Sequence, residues 1–211
     1  LEPTSFSKLL EWFKDWLVVE EFGTPVPYYP MEDTGYTRGF YITQPTRLLS
    51  VNYYDSYEFM KMLPESIKNE LIFVQQSGFE NQHTNSKGLL TGSRIYDVND
   101  STKYIATSYY YDKKGRMIQK RSTTHMGGYI FEDFLYTYTG KILSQKRTHK
   151  LNGISNIEIY NYTYDHAERL TKLTHKFNNF NEVTIKELVY DDLGRVKTKK
   201  IHGGIEYITY M

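Results

Sequence analysis

Cysteine is missing from this chain of 211 residues. Disulfide frameworks, thiolate zinc sites and cysteine nucleophiles are therefore excluded, and the redox compartment is left undetermined. No apolar run approaches the roughly 20 residues that a membrane-spanning helix needs, and the first residues show no signal-peptide pattern. Leu1 stands where an initiator methionine would, so the expectation is a segment of a larger protein. A strong excess of one charge is lacking too: the net charge is +1, and nothing in it indicates nucleic acid.

What is present is tyrosine. Hydrophobic residues make up a low 39%, yet aromatics reach 16%, with 21 Tyr against 11 Phe and 2 Trp. Such a chain is too aromatic to be disordered. Tyr, Thr and Ile suit a pleated, half-buried surface, where a ring has one apolar and one wet end. The length allows one sizeable core and fits one domain as well as two. Residues 1–110 carry 9 basic and 14 acidic side chains, whereas 111–211 carry 17 and 11. The basic half reads either as a surface for an acidic partner or, more simply, as solvated β-faces that resist aggregation by displaying Lys and Arg.

Along the chain, Phe6, Leu9, Leu10, Phe13, Trp16 and Leu17 recur at the three-and-four spacing of a one-faced helix over 5–21. Thr4 or Ser5 can cap it, and Gly23, Pro25 and Pro27 stop it. The stretch 28–85 is mixed, with an extended run over 47–54 and a short helix over 64–71 opening at Pro64. Residues 78–87 are polar and breaker-rich, which predicts a mobile loop. From Gly88 onward, strand-like runs end regularly in turn signals. The division is 1–45 (helix and extended segment), 46–87 (irregular) and 88–211 (hairpin sheet).

Four segments in that last part align. They are Tyr111-Asp112-Lys113-Lys114-Gly115-Arg116-Met117, Tyr136-Thr137-Tyr138-Thr139-Gly140-Lys141-Ile142, Tyr164-Asp165-His166-Ala167-Glu168-Arg169-Leu170 and Tyr190-Asp191-Asp192-Leu193-Gly194-Arg195-Val196. Their first tyrosines are 25, 28 and 26 residues apart. The pattern Y-D-x-x-G-R-apolar describes a three-residue hairpin loop: a type I turn, then Gly in the left-handed region as a bulge. Asp accepts from turn amides and faces the Arg across the strands, giving pairs Asp112–Arg116, Asp165–Arg169 and Asp191–Arg195. One residue outward, Tyr111 faces Met117, Tyr136 faces Ile142, Tyr164 faces Leu170 and Tyr190 faces Val196, a tyrosine–aliphatic stripe on the other face. Halfway between motifs, Met126-Gly127-Gly128, Leu151-Asn152-Gly153, 178–181 and His202-Gly203-Gly204 supply reversals at the opposite sheet edge. Two departures stand out. Thr137 with Lys141 keeps the turn without an ion pair, and Glu168 replaces the Gly, so the third turn should be strained or differently built. The predicted fold is mainly β: a long antiparallel meander of these hairpins in a twisted, curved sheet, with an N-terminal amphipathic helix.

These motifs, together with Lys87-Gly88-Leu89-Leu90-Thr91-Gly92-Ser93-Arg94 and Arg47-Leu48-Leu49-Ser50-Val51-Asn52-Tyr53-Tyr54-Asp55, resemble the YD-repeat or Rhs-repeat family over roughly 45–211. The closer likeness is to Bacteroidetes-type proteins whose Rhs repeats precede a core-associated domain. The resemblance implies a long β-ribbon coiled into a hollow shell around a C-terminal polypeptide, often a toxin, in a secreted or cell-surface protein. It also implies partners in the rest of the parent chain and its cargo, no cofactor and no catalysis.

Other chemistry fares worse. His125, His149, His175 and His202 each precede a second turn, but no His-x-x-x-His or carboxylate partner recurs with them, so polar hairpin-end residues are the simpler reading than a metal row. Asp112, Asp165 and Asp191 have a turn and a basic neighbour to satisfy them and no partner at glycosidase-like separation. Exposed tyrosines on a curved sheet could stack on cell-surface glycans, or alternate rings such as Tyr160, Tyr162 and Tyr164 could simply stabilise cross-strand pairs. Trp12, Phe13 and Trp16 lie among Glu11, Asp15, Glu20 and Glu21, unlike basic membrane-surface helices, so this helix is expected to cover a sheet face or edge.

Overall fold

The computed structural model describes residues 48–209, apart from 101 and 205. The helix expected over 5–21, with Trp12, Phe13 and Trp16, lies outside the described residues, as does Arg47. Eleven strands follow in order: β1 (Ser50–Asp55), β2 (Ser86–Tyr96), β3 (Tyr104–Tyr111), β4 (Met117–Thr123), β5 (Tyr129–Tyr136), β6 (Ile142–Leu151), β7 (Ile154–Tyr164), β8 (Leu170–Phe177), β9 (Val183–Tyr190), β10 (Val196–Ile201) and β11 (Glu206–Thr209). They form one sheet whose spatial order is the sequence order, every neighbouring pair antiparallel. The sheet is open, since β11 does not return to β1. It is the mainly β meander that the repeat spacing predicts.

Each motif sits at a strand reversal, and its register is the expected one. Tyr111 lies opposite Met117, Tyr136 opposite Ile142, Tyr164 opposite Leu170 and Tyr190 opposite Val196. One outgoing residue per motif, Ile118, Leu143, Thr171 or Lys197, is skipped by the pairing, a second irregularity beside the turn bulge. At the other edge, Asn152 and Gly153 both take positive φ (50° and 79°), the conformation of a two-residue type I′ reversal.

The sheet reaches upstream of residue 88, because β1 pairs with β2, with Val51 opposite Arg94 and Tyr53 opposite Gly92. Between these strands lie a 3-10 turn (Glu58–Met62) and α1 (Glu65–Leu71), the short helix expected over 64–71, with Pro64 as its N-cap rather than its first residue. This segment packs on the face that carries Tyr53, Ala106, Ser108, Gln119 and Asp133, called here the insertion face. Val51, Tyr53, Phe59, Met60, Leu63, Leu71 and Ala106 form the buried core beneath it. The Phe59 ring occupies the space a Cβ on Gly92 would fill, so Gly92 lets the insertion lie against the sheet. The opposite face carries the motif tyrosines. From β6 onward, Thr174 alone among the described residues is buried, so the described residues cover that part of the sheet far less than β1–β5.

Candidate functional site

The motif turns are built alike. In the first, the Gly115 amide donates to the Asp112 carbonyl at 3.0 Å and the Asp112 amide to the Arg116 carbonyl at 3.0 Å. Asp112 Oδ1 accepts the Lys114 and Arg116 amides at 2.7 and 3.0 Å, and Arg116 Nε donates to Oδ2 at 2.6 Å. Arg169 Nε reaches Asp165 Oδ2 at 2.7 Å and Arg195 Nε reaches Asp191 Oδ2 at 2.8 Å in the same way. Glu168 keeps the common geometry, its amide donating to the Asp165 carbonyl at 2.9 Å, with φ 59°. The third turn is therefore strained rather than differently built. In the second turn, Thr137 Oγ1 replaces the carboxylate and accepts the Lys141 amide at 2.9 Å, while Lys141 turns to Glu168 of the next hairpin at 3.7 Å.

Successive motifs are stitched together by a contact the sequence reading did not foresee. Tyr136 Oη donates to the Met117 carbonyl at 2.7 Å, Tyr164 Oη to that of Ile142 at 2.8 Å, and Tyr190 Oη to that of Leu170 at 2.8 Å. The cation of each motif lies over the tyrosine of the next: Arg116 over Tyr136 at 4.9 Å, Lys141 over Tyr164 at 5.4 Å, Arg169 over Tyr190 at 4.5 Å. Tyr111 Oη makes the same bond upstream, to the Leu90 carbonyl at 2.7 Å.

That last bond exposes a further motif. Tyr54 lies opposite Leu90 as Tyr111 lies opposite Met117, Thr91 is skipped as Ile118 is, and Gly88 has φ 79°. Asp55 Oδ1 accepts the Gly88 amide at 2.5 Å. Tyr54-Asp55 and Gly88 are thus the two halves of a motif whose turn residues are replaced by residues 56–87. The signal was present in sequence, but the turn that would join its halves is not.

Residues 70–80 of that insertion are held on the sheet by polar side chains that grip main chain. Arg121 Nη1 donates to the Glu70 carbonyl at 2.9 Å, and Ser108 Oγ and Tyr110 Oη both donate to the Leu71 carbonyl at 2.6 Å. The Gln119 amide accepts from the Val74 N–H at 3.0 Å and donates to the Val74 carbonyl at 2.9 Å. Lys150 pairs with Glu70, Lys146 bonds Gln76 at 2.9 Å, and Arg116 bonds Glu80 at 2.9 Å.

Electrostatics follow burial and partners. Burial alone would raise the Asp112 carboxyl, but hydrogen bonds from Arg116 and the Lys114 amide hold it below the usual carboxylate value. The Arg169 and Arg195 amides chiefly lower Asp165 and Asp191. Burial pushes Asp133 up despite the Gln119 amide and the Arg121 charge. The motif carboxylates therefore stay ionised and act as turn acceptors.

The histidines do not form a row. His149 on β6 faces Asn156 and His175 on β8 faces Tyr160, four residues apart along β7, while His125 and His202 lie in turns. Among the described residues no three His, Asp or Glu side chains come together as a metal set, and no helix is long and apolar enough to cross a membrane. No family model matches the chain, and no curated protein matches it.

Proposed function

We propose that this chain is a non-catalytic wall segment of a repeat protein of the YD or Rhs kind, building part of a shell or surface scaffold around a partner polypeptide. The partner is the cargo of the parent chain, which in the resembled family is often a toxin, in a secreted or surface-held protein. The observation that carries the reading is the tyrosine–carbonyl and cation–tyrosine ladder, which repeats from hairpin to hairpin along one open sheet. Such a ladder propagates a wall in one dimension, each unit resting on its neighbours. It also occupies the groups that other readings need. The hydroxyls of Tyr136, Tyr164 and Tyr190 bond main chain rather than facing a glycan, and the carboxylates of Asp112, Asp165 and Asp191 bond turn amides and arginines.

The test is a fusion. An unstructured, trypsin-sensitive polypeptide joined after Met211 is expected to be cut at least roughly tenfold more slowly than the same polypeptide joined to an unrelated domain, because cleavage tracks exposure of the susceptible backbone. Equal cutting rates would overturn the reading.

A further inference from the structure

The apolar surface under the insertion does not stop at the buried core. Toward the sheet edge opposite the motif turns, an open groove of about 580 Å³ runs beside α1, and Pro64, Ile67, Tyr96, Tyr104, Thr123 and Tyr129 are among the residues lining it. The strand residues in this set form two cross-strand pairs on the insertion face, Tyr96 opposite Tyr104 and Thr123 opposite Tyr129. Ile67, Tyr96 and Tyr104 also pack against the core cluster, so the groove continues the core outward. From β2 to β5 it crosses three strand spacings, about 14 Å.

The described chain starts at this groove. Leu48 packs against the core cluster as Tyr96 and Tyr104 do, and the Leu49 carbonyl accepts the Tyr96 amide at 2.9 Å. The 47 residues before Leu48 lie outside the described residues, and they carry the stripe Phe6, Leu9, Leu10, Phe13, Trp16 and Leu17. A helix rises about 16 Å from Phe6 to Leu17, which matches the width of the groove. A helix with one apolar face is stable in water chiefly through what that face packs on. Glu11 and Asp15 fall on the side away from the stripe, so a helix seated by its apolar side turns these acids to water. Residues 22–47 join segment and groove in one chain, which makes their meeting intramolecular, at an effective concentration of roughly millimolar.

We propose that this groove is the seat of the amphipathic segment 5–21, whose apolar stripe closes it and, together with the insertion, caps the first hairpins of the meander. Repeat arrays need capping units, because an end unit otherwise leaves an apolar side open to water. The docking goes beyond the wall reading and stands whether or not the wall encloses a cargo.

Both tryptophans of the chain, Trp12 and Trp16, lie in this segment, so selectively excited tryptophan fluorescence of the full chain reports on it alone. Blue-shifted emission is expected, with iodide quenching weaker than that of an isolated peptide of residues 1–27. With benzoylphenylalanine in place of Phe13, photo-crosslinks should fall within 64–67, 96–104 and 123–129 of the same molecule. Tyr129→Glu sets a carboxylate in the apolar seat and should lower the crosslink yield at least roughly tenfold and bring quenching to the level of the peptide. Phe13→Asp, a change on the segment itself, should expose the tryptophans to the same degree. Circular dichroism and the urea midpoint report whether the Tyr129→Glu chain folds; if it does not, Phe13→Asp and the crosslink map decide. Crosslinks to the tyrosine face, to β6–β10 or to a second, isotope-labelled copy would overturn the docking. So would tryptophans quenched as in the peptide, or a folded Tyr129→Glu chain that behaves as the parent does.

Discussion

At the residue scale, the same Asp–Arg pair does different amounts of work in different hairpins. Arg116 is 17% exposed at its side chain and Asp112 1%, whereas Arg195 is 73% exposed. Arg116 also bonds Glu80 and the Thr137 carbonyl and covers Tyr136. Replacing Arg116 by Ala leaves a buried carboxylate without its cation, so urea denaturation should show a loss of about 3 kcal/mol. Arg195→Ala should barely move the midpoint, because an exposed pair contributes little. Glu168 is held at φ 59°, where a side chain crowds the following carbonyl. Glu168→Gly should therefore stabilise by about 1 kcal/mol, since only an exposed ion pair with Lys141 is lost. Two carboxyls set opposite limbs of the pH dependence. Asp112 is depressed in the folded state, so its contribution is present above its ordinary value of 3.8 and lost as pH falls through the folded value. Asp133 is raised, so its contribution is present below 3.8 and lost as pH rises through the folded value. Stability should thus decline on both sides of that region. Asp133→Asn should flatten the limb on the neutral side and leave the acid limb in place, which urea midpoints across pH will show.

At the element scale, the hairpin ladder makes its own prediction. Removing the hydroxyl of Tyr136, Tyr164 or Tyr190 deletes a bond to a carbonyl of the preceding hairpin, and Tyr→Phe at each should cost about 1 kcal/mol. Tyr138, 89% exposed, is the control, and Tyr138→Phe should be neutral by the same urea assay. The turns were legible because Asp, Gly and Arg at fixed offsets impose one backbone geometry, and because the tyrosine offset sets which residues face each other. What lay beyond reach is instructive. Tyr54 and Gly88 are separated by a folded insertion, so a search for a local pattern sees two unrelated fragments. Leu71 and Val74 give no sign of their hold on the sheet, because Tyr110 and Gln119 bond their main-chain atoms, which every residue supplies. The stitching of each tyrosine to the previous hairpin crosses strands, and single-strand alternation cannot report it.

On the scale of the whole molecule, stability should be graded along the sheet. In a meander each strand pairs with its sequence neighbours, so contacts are local and each hairpin depends on the next through one interface. The two ends differ in what covers them. Strands β1–β5 lie under the insertion with its core of Phe59, Met60, Leu63 and Leu71, and Arg121, Gln119 and Ser108 tie that layer down. Strands β6–β10 have no comparable layer among the described residues, and what supports them is the ladder and cross-strand pairs such as Tyr160 with His175, whose rings lie 4.6 Å apart. Opening free energy should therefore fall from β4 toward β10, because local unfolding there exposes little buried surface. Native-state hydrogen exchange should find the amides of β3–β5 protected to the level of global unfolding and those of β9 and β10 exchanging faster by orders of magnitude. The Tyr190→Phe change should sharpen that contrast, since it loosens the last hairpin from the Leu170 carbonyl without touching the covered end. Uniform protection along all strands would mean that the sheet unfolds as one unit and that the ladder couples its hairpins far more tightly than a chain of nearest neighbours allows.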